Sequence, residues 1–392
     1  MEVLFVSHKY PPATGGMEKQ SYELIKGVGR YTKVHTIVFE GDGSRIEFFT
    51  RLNRRIIRIC KENPGISLIH FNDALIGAWS LTHTGYSHLK RTMTVHGLDI
   101  VFPSFLYQRF VLPKFNKFDL IIAVSQATAD ACTSRGIAED KIKVVNNGVG
   151  NGISLPVART DADFLLQKKF QINSTGKRLL ISLGRQVKRK GFSWFLRNVI
   201  PELHDDFIYL MVGPTISPSD PTARLLKLLP TTVKNLIELF LGFPGDAEAI
   251  RGLFNDPQIS AKAKLLGKLT ADDIRILLGA ADAFIMPNIK VEGDMEGFGL
   301  VCLEASLLGT RVVASDIEGI RDAVHNEKNG YLLPSGDVAV WTRTLNQLIT
   351  HPESLTLQRE DVARYTRQHF SLERMAQSYF SLFKQTDNPP DI

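Results

Sequence analysis

Apolar and polar positions along this chain fall into two alternating kinds of segment. Short runs rich in Val, Ile, Leu and Phe are each followed by a longer stretch in which apolar residues recur every three or four positions. The short runs predict strands: VLFVSH, VHTIVF, SLIHF, TMTVHG, LIIAVS and IKVVNNG in the first half, and RLLISLG, FIYLMVG, AKLLGKL, AFIMP, RVVAS and GYLLP in the second. Near-continuous apolar strands in alternation with helical patterns predict an α/β fold whose parallel sheets are covered on both faces. The weakest patterning lies in GVGNGISLPVARTDADF, 148–164, which predicts the linker between two domains, 1–160 and 161–369. A last helical pattern begins at FSLERMAQSYFSLF. Ser371 is its expected N-cap, and Phe370 and Met375 are spaced for a hydrophobic staple.

Length supports the division, because 392 residues exceed one ordinary core. With 44% hydrophobic and 22% charged residues, the composition is that of a soluble globular protein. The opening MEVLFVSHKYPP has too short an apolar core for a signal peptide, and no run approaches the roughly 20 residues that span a bilayer. A cytoplasmic location is expected. Cys60, Cys132 and Cys302 have no metal-ligand spacing and read as reduced packing residues.

Charge changes the picture through its distribution. The net +6 lies wholly in residues 1–155, with 19 Lys plus Arg against 13 Asp plus Glu, while the rest of the chain carries 28 of each. The densest run is RLNRRIIRICK, Arg51 to Lys61, amphipathic if helical. It reads either as a solvated face or as a surface for anionic lipid or an acidic substrate. No recognised nucleic-acid motif accompanies it, so no nucleic-acid partner is expected.

In parallel α/β sheets ligands bind outside the carboxyl ends of the strands, so residues just past strands carry the candidate chemistry. After the first strand, Gly15 and Gly16 permit a tight turn into a helix whose amino end offers free N–H groups. No G-x-G-x-x-G follows that strand, which argues against a dinucleotide site. His96 in TMTVHG stands at the end of a strand, as a core or turn histidine or a functional one. In GRQVKRKG, Gly184 opens a loop in which Arg185 and Lys190 flank Lys188 and Arg189. Such a loop suits a diphosphate, which Arg meets with a fork and Lys as a point charge, or is simply solvated. In EGFGLVCLEA, Gly297 and Gly299 delay the helix, Glu296 stays in the loop, and Glu304 lies about one turn inside. A carboxylate there suits two sugar or ribose hydroxyls, or an internal ion pair.

Together, GGME, VHG, VSQATAD, VNNGV, GRQVKRKG, EGFGLVCLEA and NGYLLPSGD, in this order and spacing, resemble the retaining GT-B glycosyltransferases of glycosyltransferase family 4. The resemblance spans nearly the whole chain. It implies two Rossmann-like parallel-sheet domains facing across a central cleft, the first on the acceptor side, the second binding a nucleotide-sugar donor. A C-terminal helix, about 370–386, would pack back on the first domain. By the same resemblance Arg185 and Lys190 bind the donor diphosphate, Glu304 the ribose and Glu296 the transferred sugar. His96 approaches that sugar. Gly15, Gly16, Gly184, Leu266, Lys268, Gly297, Phe298, Gly299 and Leu300 line the donor.

The implied activity is retaining, metal-independent transfer of a hexose from a nucleotide-diphosphate sugar, a UDP-sugar first and GDP-mannose next. The expected acceptor is a hydroxyl of a glycan or lipid-linked glycan, in surface polysaccharide or glycolipid biosynthesis. No cofactor is expected, and the basic first half suits peripheral attachment to the inner face of an anionic membrane. A nucleotide-sugar epimerase or a non-catalytic nucleotide-sugar-binding protein would use similar residues. The Asp161–Asp163 pair has metal-ligand spacing, but its place before FLLQKKF favours an Asp as helix cap. Two departures stand out. SDIEGIRDAV has Glu318 beside Gly319 where the family commonly has two glycines, and 214–262 holds an extra segment, ARLLKLLPTTVKNLIELFLGFPG within it.

Overall fold

In a computed structural model of the chain, residues 1–150, 157–214, 236, 237, 239, 245–352 and 357–388 are described. The chain divides into two compact units: Met1–Gly150 with Glu296–Leu300 and His369–Ile392, and Asn151–Met295 with Val301–Gln368. Most of the apolar extra segment lies outside the described residues.

All six strand patterns of the first half form strands in one parallel sheet of the first unit. These are β1 (Glu2–Ser7), β2 (Val34–Val38), β3 (Ile66–Phe71), β4 (Lys90–Val95), β5 (Leu120–Ala123) and β6 (Ile142–Val144), in spatial order β2-β1-β3-β4-β5-β6. β1 shows why its sequence is apolar throughout. Val3 and Phe5 face one layer, with Leu24, Val28, Tyr379 and Phe383, while Leu4 and Val6 face the other, with Phe48, Leu52 and Ile56. All four strand residues are fully buried, as the two-residue period of a covered sheet requires.

The first layer is made by the helices Gly16–Val28 and Leu372–Asp387. They come close because Gly27 lacks a side chain: a Cβ there would lie 2.6 Å from that of Ala376. Ser371 caps the second of them, its side chain accepting from Arg374 N. The basic run lies within the helix Arg45–Glu62, where Phe48, Leu52 and Ile56 turn inward and Arg51, Arg54, Arg58 and Lys61 are exposed.

The second unit repeats the architecture with the other six strands: β7 (Arg178–Leu183), β8 (Phe207–Val212), β9 (Ala263–Gly267), β10 (Ala283–Met286), β11 (Arg311–Ser315) and β12 (Gly330–Leu333). They are parallel, in order β12-β11-β10-β7-β8-β9. Leu180, Phe195, Tyr209, Ile285 and Trp341 anchor its core.

One expectation needs correction. No Asp caps the helix Arg159–Phe170: its flanking residue is Ala158, which offers no side-chain cap. Asp163 instead accepts from Arg159 at 3.1 Å and from Ser174 at 2.5 Å, an internal network that fixes the start of the unit. Among the described residues no cluster of three potential metal ligands occurs. No disulfide joins the three cysteines; Cys132 and Cys302 are buried, Cys302 Sγ lying 3.0 Å from Met286 Sδ, and Cys60 is half-buried.

Candidate functional site

In the first unit, polar side chains collect at the carboxyl ends of the strands. His96 immediately follows β4, and its Nε2 donates to the carbonyl oxygen of Asn72, 2.8 Å away, just past β3. A carbonyl only accepts, so the neutral ring carries its proton on Nε2 and leaves Nδ1 as an acceptor. The His96 backbone N–H is held by both carboxylate oxygens of Asp99, at 2.9 and 3.1 Å, and Asp99 also accepts from Ala74 N at 3.4 Å. Burial raises the Asp99 pKa above the ordinary carboxylate range, against the His96 ring and backbone N–H, which pull it down.

Beside it, His8 Nδ1 stands 3.0 Å from Asp73 Oδ2, an ion-pair distance between two side chains 5% and 2% exposed. Burial pushes Asp73 up, but the neighbouring His8, the Ile76 N–H and His96 together leave its pKa lowered. Asp73 also caps the helix Ala74–Ser80. Asn72 is 1% exposed, yet neither its amide nitrogen nor its amide oxygen has a hydrogen-bond partner. Buried amide groups are normally satisfied, so an orphan at a strand end is where water or a ligand hydroxyl would bind.

The loop Glu296–Leu300 belongs to this unit too. Glu296 is 9% exposed and Phe298 3%, with the Phe298 ring against Phe370. Gly297 packs on the His96 backbone, and Thr128 Oγ1 donates to the Gly297 carbonyl at 3.5 Å. Gly299 takes a φ of +93°, the left-handed region that favours glycine. Gly15 flanks the helix that Gly16 begins, and a Cβ on Gly16 would meet the Leu300 side chain at 3.5 Å. The structure thus brings Gly16, His96, Gly297 and Leu300 together within one unit.

In the second unit, the loop after β7 carries Gly184, Arg185 and Lys190. Its end is pinned at Gly191, whose φ is +65° and where a Cβ would lie 2.0 Å from the Pro287 carbonyl. Arg185 is exposed and Lys190 is 9% exposed, running past Gly184. The four cations divide: Arg189 pairs with Asp294 at 3.1 Å and ties the loop to its own unit. Leu266 is buried at the end of β9, with Lys268 exposed just beyond. Glu304 lies half-buried in the helix Leu300–Leu307, as its spacing from the two glycines predicts.

Sequence reasoning missed His8, Asn72, Asp73 and Asp99. The signal was present, since VSH, HFND and HGLD each place these residues at or just past a strand. The departure at Glu318 also has a structural form. Glu318 takes a φ of +49°, a conformation in which a glycine would be unstrained.

Comparison with known proteins agrees with this layout. Residues 165–369 match the model for glycosyl transferases group 1, and residues 2–150 that for glycosyltransferase family 4. The D-inositol 3-phosphate glycosyltransferase of Salinispora arenicola is 34% identical over 128 residues, 32% of this chain and 27% of that one. A putative colanic acid biosynthesis glycosyltransferase, WcaL of Salmonella typhimurium, is 25% identical over 284 residues, 69% of this chain and 58% of its own. The matches therefore span 27% and 58% of these relatives, less than two thirds of either. Among solved structures, HepE of Anabaena in complex with UDP and glucose superposes with a TM-score of 0.70 at 20% identity, covering 98% of this chain and all of that one. The fold is GT-B.

Proposed function

Because the chain belongs to the group 1 glycosyltransferases, we propose that it transfers a hexose from a nucleotide-diphosphate sugar to a hydroxyl of a glycan or lipid-linked glycan, retaining configuration and needing no metal. A UDP-sugar is the preferred donor: HepE binds UDP and glucose. A role in surface polysaccharide assembly follows the colanic acid relative.

The observation that carries this reading is the loop Gly184–Gly191, held in place by Gly191 and by Arg189 while it presents Arg185 and the nearly buried Lys190 at the carboxyl end of β7. Breaking the anomeric C–O bond moves negative charge onto the leaving diphosphate. Arg185, Lys190 and the amino end of the helix that starts at Leu300 would stabilise that charge as it grows. Glu304 takes the ribose hydroxyls, Leu266 and Lys268 flank the nucleotide, and Glu296 and His96 Nδ1 accept hydrogen bonds from hydroxyls of the transferred sugar. The acceptor hydroxyl attacks the anomeric carbon, and its proton leaves with the diphosphate.

Thermal unfolding against UDP, GDP, ADP and dTDP and their sugar conjugates, without and with EDTA, tests this. A ligand at a hundred times its Kd stabilises by about 2.7 kcal/mol. A shift with UDP and UDP-sugars alone is expected. A shift only with a different nucleotide replaces the donor, and loss of every shift on adding EDTA contradicts the metal-free reading.

A further inference from the structure

We propose that residues 105–117, the helical run that follows β4 in the first unit, form an interfacial anchor by which the protein docks on an anionic lipid surface. The run buries one apolar face and exposes apolar side chains on the other as well. Leu112 and Phe115 turn inward and are buried in the core. Tyr107 and Val111 pack against that core. The outer face sets large apolar side chains among its exposed cations, where a solvated helix would be polar throughout. Phe105 is 75% exposed, Leu106 67% and Phe110 55%. Three large side chains within six residues cost solvation in water and regain it only in an apolar phase.

Charge selects the occupant. Between Asp99 and Asp119 the chain has no acidic residue, and its cations Arg109, Lys114 and Lys117 are all exposed. On the same side of the sheet the helix Arg45–Glu62 exposes Arg51, Arg54, Arg58 and Lys61. Trp79, 41% exposed on the helix Ala74–Ser80, packs on Phe49 of that helix. Exposed Phe and Leu among cations, with Trp nearby, is the composition that settles at the headgroup boundary of an anionic bilayer.

The run is coupled to the strand end it follows. The Tyr107 hydroxyl donates to the backbone carbonyl of Asp99 at 2.6 Å, and Asp99 holds the His96 N–H. Docking of 105–117 would therefore hold the His96 strand end near the membrane, where a lipid-linked acceptor lies. This benefit rests on the lipid-linked reading of the acceptor; the docking itself does not, and its test uses no donor.

Full-length protein is sedimented with vesicles of phosphatidylcholine alone and of an equimolar mixture with phosphatidylglycerol, at low and high salt. Salt-sensitive binding to the mixed vesicles is expected, and Phe105→Ser, Leu106→Ser and Phe110→Ser combined should reduce it by about tenfold or more. These side chains are exposed, so the variant should unfold like the parent. A separate Phe105→Trp variant gives a gain of signal: its added fluorescence should shift to the blue on mixed vesicles. Absence of binding, binding unaffected by the triple substitution, or no blue shift overturns the proposal. So does a lipid-free dimer that the triple substitution dissolves without any vesicle binding, which would make the face an interface between copies of the chain.

Discussion

The carbonyl oxygen of His96 fills the space in which a side chain at position 297 would begin: a Cβ on Gly297 would lie 1.8 Å from it. The obstacle is backbone, which cannot swing aside as a flexible side chain can. Gly297→Ala must therefore displace the Glu296–Leu300 loop or the His96 turn. A shift of about 1 Å in a positioned group costs on the order of a hundredfold in rate. The variant should lose about that much kcat in transfer assays while its unfolding temperature changes little. Wild-type kcat in this variant would show that the contact has no part in catalysis.

Asp99 is predicted to act on the reaction through His96. Removing its carboxylate by Asp99→Ala leaves the N–H groups of His96 and Ala74 without acceptors, a penalty of about 1–3 kcal/mol for each one that stays buried. The His96 ring remains, so kcat should fall less than in His96→Ala, and KM for the donor should change little. Asp99→Asn keeps one acceptor oxygen and should restore part of the loss. The buried carboxylate has a raised pKa, so the folded state binds its proton more readily than the unfolded chain. Its contribution to stability is present below the ordinary carboxylate pKa and is lost as pH rises through the folded value. Asp99→Asn removes that decline, and stability curves of the two proteins across this range would reveal it.

His70 controls acid stability by the opposite route. It lies fully buried in β3, with Nδ1 2.8 Å from Thr92 Oγ1 and Nε2 3.0 Å from Thr94 Oγ1, under the rings of Phe5, Tyr379 and Phe383. Burial first, and then the neighbouring His96, lowers its pKa to about 3 from 6.5. The unfolded chain takes up a proton below 6.5 that the folded one refuses. Stability should therefore be lost as pH falls from 6.5 toward 3, by roughly 1 kcal/mol per pH unit from this group alone. Half-buried His83, lowered to about 4, adds to the slope. His70→Gln should flatten urea-derived stability over this range without abolishing it. An unchanged slope would mean that His70 titrates normally.

The inner strands were legible because they are largely buried on both faces and so read as near-continuous apolar runs, whereas the edge strands β2 and β6 are only partly covered and carry polar positions such as His35 and Lys143. Glu304 was legible because two glycines fix where its helix starts. What the sequence hid was set by distance along the chain. That Gly297 meets His96, or that the Asn72 carbonyl accepts a hydrogen bond from His96 Nε2, depends on which strands lie side by side, and the order β2-β1-β3-β4-β5-β6 is not encoded in local periodicity. Asp163 was misread for the same reason, its partner Ser174 lying beyond the end of the helix that it was expected to cap.

Arg185 at the end of β7 and Glu304 in the helix Leu300–Leu307 should separate in kinetics. Arg185 is exposed, and its fork meets charge that grows on the leaving diphosphate, so Arg185→Ala should lower kcat by about a hundredfold or more with a smaller change in donor KM. Arg185→Lys keeps the charge but loses the fork and should recover only part of the rate. Glu304→Gln weakens the grip on ribose, which is the same in ground and transition states, so it should raise donor KM about tenfold and leave kcat nearly intact. Steady-state kinetics with varied donor measure both. A rise confined to KM in Arg185→Ala, together with a fall confined to kcat in Glu304→Gln, would exchange the two roles and place the ribose against the loop Gly184–Gly191.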